Sequence, residues 1–328
     1  MYDIGAGRPR LSILILNWNG HSDTSALLRD LDSQLIQTDS HSEVEILVLD
    51  NGSDDAVPTW WSSLRSVRVI REQVNLGYSG GMSVLLGRAS ADICWLLNND
   101  IRLGVDSIER ALAHSSSREF AVVFPLVLNP DQSTQSRDCS WGPLRGWITG
   151  PSPDMHGPRM YPILGDIFAA PLVAKSVAID VGLFPDGFHT YGEDLDGSYA
   201  IALSGGKAVR DIDWSMTHRK SSSKPAATSV RYRFESQGWR NLVVSTFLNY
   251  EFKNFWGIIP MFVRAWIYEL LWKRRGQFLR SPEVLRTWIV FPLEVMRLAV
   301  RLRPLRCAGN PAESCQMLQF GNCDDFDA

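Results

Sequence analysis

Three acidic side chains fall within four positions of this chain, at Glu193, Asp194 and Asp196. No Lys or Arg lies within residues 188–196 to neutralise them. Acids crowded in this way bind a cation, transfer protons, or occupy the first turn of a helix, where the free backbone amides favour negative charge. The cluster therefore predicts either acid–base chemistry or a helix start.

Two further acids, Asp50 and Asp100, each close an apolar run of strand length. A carboxylate at Asp50 could accept a hydrogen bond from a pyrimidine imide or a ribose hydroxyl, or it could form an Asx-turn with Asn51 and Gly52. Asp100 follows Asn98 and Asn99, and could hold a divalent cation against a diphosphate or cap a helix.

Alternating strand and helix patterns position these residues. A continuous apolar run at 11–16 predicts a strand covered on both faces, and residues 22–33 have a helical period. Further strands are predicted at 44–49, 67–70, 93–97, 120–127 and 207–212, and further helices at 77–88, 107–114, 173–181 and 195–204. This order predicts an α/β fold with a mostly parallel sheet flanked by helices, whose ligands bind outside the carboxyl ends of the strands.

Composition limits the class of function. The 328 residues carry a formal net charge of −3, which argues against nucleic-acid binding. The five cysteines show no CxxC or zinc-finger spacing, so no disulfide framework is indicated. No signal peptide and no apolar run long enough to cross a bilayer is found. The sequence predicts a cytoplasmic protein.

Three regions are expected. Residues 1–231 form the α/β domain, which includes a long loop at 141–162 where Trp141 and Trp147 could stack on a ligand or pack. Residues 232–306 are helical, aromatic and basic, with ten Lys/Arg against three Glu between Pro260 and Arg306. That composition suits a helix in a membrane interface, although packing or an oligomer contact would also explain it. Residues 307–328 form an acidic flexible tail.

The motifs in residues 11–218 together resemble the family 2 inverting glycosyltransferases of the GT-A fold, especially rhamnosyltransferase-like and galactofuranosyltransferase-like members. The resemblance rests on four motifs: Asn17-Trp18-Asn19 after the first strand, the run that begins at Asp50, the segment Asn75-Leu76-Gly77-Tyr78, and Asn98-Asn99-Asp100. The chain departs from the family where Asn98 replaces the first acid of the Asp-x-Asp motif, and where Ser83 stands at a common Asn position.

The resemblance implies a role for each motif. It makes Asp194 the general base that deprotonates the acceptor hydroxyl, with Glu193 in support, and leaves Asp196 no more than a helix cap. It gives Asp100 and His218 a divalent cation, Mg²⁺ or Mn²⁺, that steadies the donor diphosphate. The remaining implied nucleotide-sugar contacts are Asn17, Trp18, Asn19, Asp50, Asn75, Gly77, Asn98 and Asn99.

The predicted activity is transfer of a rhamnose-like or other hexose from a UDP- or dTDP-sugar to a hydroxyl of a polysaccharide or lipid-linked glycan, at the inner face of the cytoplasmic membrane. Two other classes stay open. A non-catalytic nucleotide-sugar-binding protein would need Asp50 but neither Asp100 nor Asp194. An NAD-dependent oxidoreductase should carry GxGxxG directly after the first strand, where this chain has Asn17-Trp18-Asn19-Gly20.

Overall fold

The structure is a computed structural model that describes residues 8–117, 119–138, 152–220, 237–238, 240–245, 248–249, 263, 267, 290 and 293–301. Its centre is one nine-stranded mixed sheet with the order β3-β2-β1-β4-β8-β6-β9-β5, and β7 pairs with β9. The strands are β1 Leu11–Asn17, β2 Val44–Asn51, β3 Val67–Glu72, β4 Ile93–Asn98, β5 Ile101–Leu103, β6 Val122–Leu128, β7 Met160–Pro162, β8 Leu172–Ala174 and β9 Ala208–His218.

Helices cover both faces of this sheet. They are α1 His21–Thr38, α2 Gly77–Arg88, α3 Ser107–Ser116, α4 Lys175–Asp180 and α5 Glu193–Leu203, and a short 3₁₀ helix spans Thr59–Ser63. Alternate residues of β1 point to opposite faces: Ile13 and Ile15 join one buried cluster with α1 and α3, and Leu14 joins a second with α2. The α/β sheet with helices on both sides is thereby confirmed.

Parallel pairing aligns the carboxyl ends of three strands. β1 lies between β2 and β4 and is parallel to both, with Asn17 opposite Asp50 and Leu16 opposite Asn98. Side chains that follow these strands therefore meet at one edge of the sheet, as the sequence predicts.

The structure corrects several element assignments. The strand predicted at 207–212 continues to His218 as part of β9. The predicted helix at 173–181 is wrong at its start, because Val173 lies in β8 between β4 and β6, and α4 begins only at Lys175. The predicted helix at 195–204 begins earlier, at Glu193, after an N-cap at Gly192. Strands β5, β7 and β8 were not predicted, since each has only three residues and too short a pattern to show a period.

Helical residues from the C-terminal part of the chain pack against the α/β domain. Val244, Leu248, Leu298 and Ala299 form a buried cluster with Phe188, which precedes the acid cluster. The expected boundaries at 231/232 and 306/307 lie outside the described residues, as do Trp141 and Trp147. Within the described part of the chain, no helix has the length and apolarity needed to cross a membrane.

Candidate active site

A chain of hydrogen bonds crosses the carboxyl edge of the sheet. The amide of Asn99 donates to Oγ1 of Thr24 at 3.1 Å, and that hydroxyl donates to Oδ1 of Asn17 at 2.8 Å. Nδ2 of Asn17 then donates to Oδ1 of Asp50 at 3.1 Å. These buried groups restrain one another, so Asn17, Asp50 and Asn99 belong to one hydrogen-bond network at the end of the strands.

Two oxygens at this edge are left for an external group. Oδ2 of Asp50 is buried and lies 3.4 Å from Nε of Arg71, an ion pair without hydrogen-bond geometry. Oδ1 of Asn98 is also buried and finds no hydrogen-bond partner among the described residues. Because buried polar atoms are nearly always paired in folded proteins, such atoms at a strand edge indicate a polar ligand.

The loop after β1 carries the other two residues of the first motif. Asn19 has a left-handed φ of 52°. Its Nδ2 donates a hydrogen bond to Oδ2 of Asp54 at 2.9 Å, and its Oδ1 accepts one from the backbone amide of Asp54 at 2.9 Å. The indole of Trp18 is exposed at this position. The two hydrogen bonds of Asn19 therefore tie the loop after β1 to the turn after β2.

The segment before α2 is held by two amide side chains. Nδ2 of Asn51 donates to Oδ1 of Asn75 at 3.1 Å and to the Gly77 carbonyl at 3.0 Å, and the Gly77 amide donates to Oδ1 of Asn75 at 2.7 Å. Gly77 has a φ of 75°, and a Cβ there would lie 2.1 Å from the His189 carbonyl oxygen. Gly77 is therefore required for the close approach of the 189 loop, and Asn75 shapes the turn.

Asp100 and His218 are brought into contact by the antiparallel pairing of β5 with β9. Nε2 of His218 lies 3.1 Å from Oδ1 of Asp100, and Nδ1 of His218 lies 3.0 Å from Nε2 of Gln135. Oε1 of Gln135 is buried without a hydrogen-bond partner in the described part of the chain. Rotating this amide by half a turn would pair Oε1 with a proton on Nδ1 and leave the lone pair of Nε2 for a cation.

Asp100 and His218 provide two of the ligands that a divalent cation needs. Two neighbouring ligands of an octahedral ion with ~2.1 Å bonds lie about 3.0 Å apart, close to the observed spacing of Asp100 and His218. Among the described residues, no group of three or more His, Cys, Asp or Glu side chains could hold a metal ion. Asp100 and His218 could thus supply two neighbouring ligands of such a cation.

The acid pair begins helix α5. Oδ1 of Asp194 accepts a hydrogen bond from the Leu195 amide at 2.8 Å, and Oε2 of Glu193 is buried with no such partner in the described ranges. Burial, with the charge of Asp194, raises the pKa of Glu193 to about 8. Burial also raises the pKa of Asp194 to about 6, with a contribution from Asp166. Near neutral pH, Glu193 thus holds a proton while Asp194 is ionised and able to accept one.

Asp196 does not cap the helix. The N-cap residue of α5 is Gly192, and no side chain donates or accepts a capping hydrogen bond there among the described residues. Asp196 is instead fully buried, and its Oδ1 accepts a hydrogen bond from Nδ2 of Asn249 at 2.7 Å. The expectation for Asp196 is wrong because the C-terminal helical residues, whose packing the sequence does not reveal, cover this side of α5.

Two segments link the acid pair to the sheet edge. The Tyr78 hydroxyl donates to the Phe168 carbonyl at 2.9 Å, and burial together with the charges of Glu193 and Asp194 raises the pKa of Tyr78. The backbone amide of Asn98 donates a hydrogen bond to the Ala169 carbonyl oxygen at 2.9 Å. Residues 168–169 therefore lie between the end of β4 and the tyrosine beside the acid pair.

Sequence reasoning did not find several residues that shape this site: Thr24, Tyr78, Gln135, His189 and Asn241. Tyr78 belongs to a motif that pointed to the region, but its contacts depend on tertiary packing. Gln135 and Asn241 lie in stretches without any motif, so no sequence signal marks them.

Residues 12–163 match the family described as Glycosyl transferase family 2. No curated protein matches the chain. Among solved structures, the chain resembles GalNAc-T7 with UDP, GalNAc and Mn²⁺ at 15% identity and a TM-score of 0.58, over 92% of this chain and 59% of that one. The chain thus spans less than two thirds of GalNAc-T7.

Two further structures are similar over most of their length. A mannosyltransferase, PcManGT from Pyrobaculum calidifontis in complex with GDP-Man and Mn²⁺, is 14% identical over 93% of this chain and 90% of its own, with a TM-score of 0.51. S. aureus TarS 1–349 in complex with UDP-GlcNAc is 15% identical over 91% of this chain and 86% of its own, with a TM-score of 0.56. At these identities the likeness shows the fold, and it confirms the GT-A assignment.

Proposed function

Residues 12–163 match Glycosyl transferase family 2, and from this premise we propose that the chain is an inverting glycosyltransferase that uses a nucleoside-diphosphate sugar. The observation that carries the proposal is the division of its acids between two places. Asp100 contacts His218 where β5 pairs with β9, whereas Glu193 and Asp194 open helix α5. An in-line transfer needs this separation, because the base and the leaving group act on opposite sides of the anomeric carbon.

The acid pair supplies the base in this mechanism. Ionised Asp194 accepts the proton of the acceptor hydroxyl while that oxygen forms a bond to the anomeric carbon and the bond to the diphosphate breaks. The departing diphosphate keeps the bonding electron pair, so charge and protons balance. Protonated Glu193 carries no competing negative charge, and its proton can donate a hydrogen bond to the acceptor.

The sheet edge supplies the donor site. Oδ2 of Asp50 would accept a hydrogen bond from a base imide or a ribose hydroxyl, and Oδ1 of Asn98 one from the sugar or ribose; in support, both oxygens are buried without a hydrogen-bond partner among the described residues. Asn17 and Asn99 hold this edge in place, Asn75 and Gly77 shape the adjoining turn, and Trp18 and Asn19 border it. Asp100 and His218 would hold Mg²⁺ or Mn²⁺, which would neutralise charge on the departing diphosphate.

The proposed donor is supported by the complexes of similar fold and by the resemblance of the motifs. The complexes of similar fold contain UDP, UDP-GlcNAc or GDP-Man, two of them with Mn²⁺. We propose a UDP- or dTDP-linked hexose as the donor, rhamnose-like on the resemblance of the motifs. The proposed acceptor is a hydroxyl of a polysaccharide or lipid-linked glycan of the cell envelope.

Peripheral membrane contact is the proposed setting, at the inner face of the cytoplasmic membrane. Leu293, Met296 and Val300 are 67%, 60% and 64% exposed, and their spacing places them on one face of helical residues 293–301. Residues 260–306 carry an excess of positive charge. An apolar helix face within a basic segment suits an anionic lipid surface.

Calorimetry with UDP, dTDP, GDP and NAD, each with and without Mn²⁺, tests the proposed function. We expect Mn²⁺-dependent binding of one nucleoside diphosphate and no binding of NAD. Binding of NAD alone would favour an oxidoreductase and overturn the proposal. Nucleoside-diphosphate binding without release of that nucleotide from any sugar donor, with glycan acceptors supplied, would favour a non-catalytic binding protein.

A further inference from the structure

The turn that precedes the acid pair has an unusual backbone. Tyr191 has a φ of 65° and Gly192 a φ of 87°, so two successive residues are left-handed. Left-handed backbone is unfavourable for a tyrosine and persists only where surrounding contacts hold it. Because helix α5 begins at the next residue, this turn sets the direction in which Glu193 and Asp194 leave the backbone.

One buried side chain from the C-terminal helical residues holds this turn. Nδ2 of Asn241 donates to the Thr190 carbonyl at 3.1 Å and to the Tyr191 carbonyl at 2.7 Å. Asn241 is fully buried, and both protons of its amide nitrogen are used. The two consecutive carbonyls are thus tied to a single amide group.

The orientation of that amide is fixed by its neighbour. Nε and Nη2 of Arg240 donate to Oδ1 of Asn241 at 3.1 and 2.8 Å, and Nη2 also donates to the Gly187 carbonyl at 2.7 Å. Since a guanidinium only donates, Oδ1 of Asn241 must face it, and Nδ2 must face the turn. The amide therefore has one orientation.

A second asparagine contacts the same helix beyond the acid pair. Nδ2 of Asn249 donates to Oδ1 of Asp196 at 2.7 Å and to the Ser245 carbonyl at 2.9 Å. The acid pair thus lies between two anchored points, the turn at 190–191 and Asp196. Both anchors come from helical residues after position 237.

From these contacts we infer that Asn241 is a positioning residue for Asp194. It acts through the backbone turn and does not touch the substrate. The inference rests on the proposed function, because a positioning role requires that Asp194 is the base. It also gives the C-terminal helical residues a part in transfer that is independent of any membrane contact.

Asn241→Asp tests the inference most sharply. The aspartate has nearly the same volume and retains an oxygen for Arg240, but it replaces the donating nitrogen with an oxygen that faces two carbonyls. We expect kcat for nucleotide release from UDP- and dTDP-hexoses with Mn²⁺ to fall about 10²-fold, since small misplacement of a reacting group has effects of this size. We also expect the acidic limb of the pH–kcat profile to shift, with the Kd for the nucleoside diphosphate unchanged.

Leu298→Ala is the matched control, because it loosens the packing on Phe188 and Gly187 without removing a hydrogen bond from the turn. Its pH profile should match that of the wild type. If Asn241→Asp does not fold, as judged by its melting curve, Asn241→Ala is measured in the same way. An Asn241 variant with wild-type kcat and pH profile overturns the inference and leaves the proposed function standing. A wild-type chain that binds no nucleoside diphosphate overturns both.

Discussion

The backbone amide of Tyr78 donates a hydrogen bond to the carbonyl oxygen of His189 at 2.6 Å. This contact joins the start of α2 to the loop that leads into the acid pair. It requires a close approach of two backbones, and the residue before Tyr78 is the left-handed Gly77.

Gly77→Ala should destabilise the fold by more than about 1 kcal/mol, because alanine is strained at positive φ and its Cβ would meet the His189 carbonyl. Gly87 lies in the same helix, and its φ is not positive. A Cβ added there would have no other atom within 4 Å. Gly87→Ala should therefore stabilise the protein by about 0.5–1 kcal/mol. Urea unfolding measures both, and equal effects at the two positions would contradict the close approach.

The sheet and the order of its motifs could be predicted from the sequence, because β1, β2 and β4 are largely apolar runs that each end in Asn. The meeting of Asn17 with Asp50 follows from that pattern alone. The contact of Asp100 with His218 does not, since it depends on β5, a three-residue strand without a recognisable period. The roles of Asp196 and Asn241 depend on packing between distant segments, for which the local sequence holds no signal.

Glu193→Gln should change how stability depends on pH. The pKa of Glu193 is raised from an ordinary value of about 4.3 to about 8, so the folded chain holds this proton more tightly than the unfolded chain. Its contribution to stability is fully present below about pH 4 and is lost as the pH rises through about 8. Glutamine removes this loss, which amounts to about 1.4 kcal/mol per pH unit, so the variant should gain several kcal/mol over the wild type between about pH 5 and pH 8.

Melting temperatures at the two pH values measure this effect. Glu109→Gln, on an exposed position of α3, is the control, and its difference from the wild type should be the same at both. A Glu193→Gln curve that runs parallel to the wild-type curve across this range would show that Glu193 is not protonated in the folded chain.

Gln135→Leu should weaken cation binding, because His218 would lose the side chain that, with its amide rotated, accepts the Nδ1 proton and leaves Nε2 for the cation. Loss of such a partner typically lowers metal affinity by about 10- to 100-fold. Gln135→Glu retains an oxygen at this position and should keep most of the affinity. Electron paramagnetic resonance of free Mn²⁺, titrated into protein with UDP present, gives the affinity without an activity assay; equal affinities for the leucine variant and the wild type would rule out this role.

The apolar face at Leu293, Met296 and Val300 should bind anionic vesicles. Replacing all three with serine removes the apolar area that would be buried in a lipid surface, so co-sedimentation with phosphatidylglycerol vesicles should fall about tenfold or more. The matched control replaces Ile36, Val105 and Ile179 with serine, which are comparably exposed apolar residues of the α/β domain. Similar losses in both triple variants, or no binding by the wild type, would count against a membrane face.

The proposed mechanism depends above all on Asp194 as the general base, and Asp194→Asn removes that function alone. Release of nucleoside diphosphate from a panel of UDP- and dTDP-hexoses is measured with Mn²⁺ and glycan acceptors, for the wild type and for this variant. The amide has nearly the same shape but accepts no proton, so the rate should fall on the order of 10²- to 10⁴-fold while the Kd for the nucleoside diphosphate stays the same. An Asp194→Asn enzyme that transfers sugar at the wild-type rate would show that Asp194 is not the base.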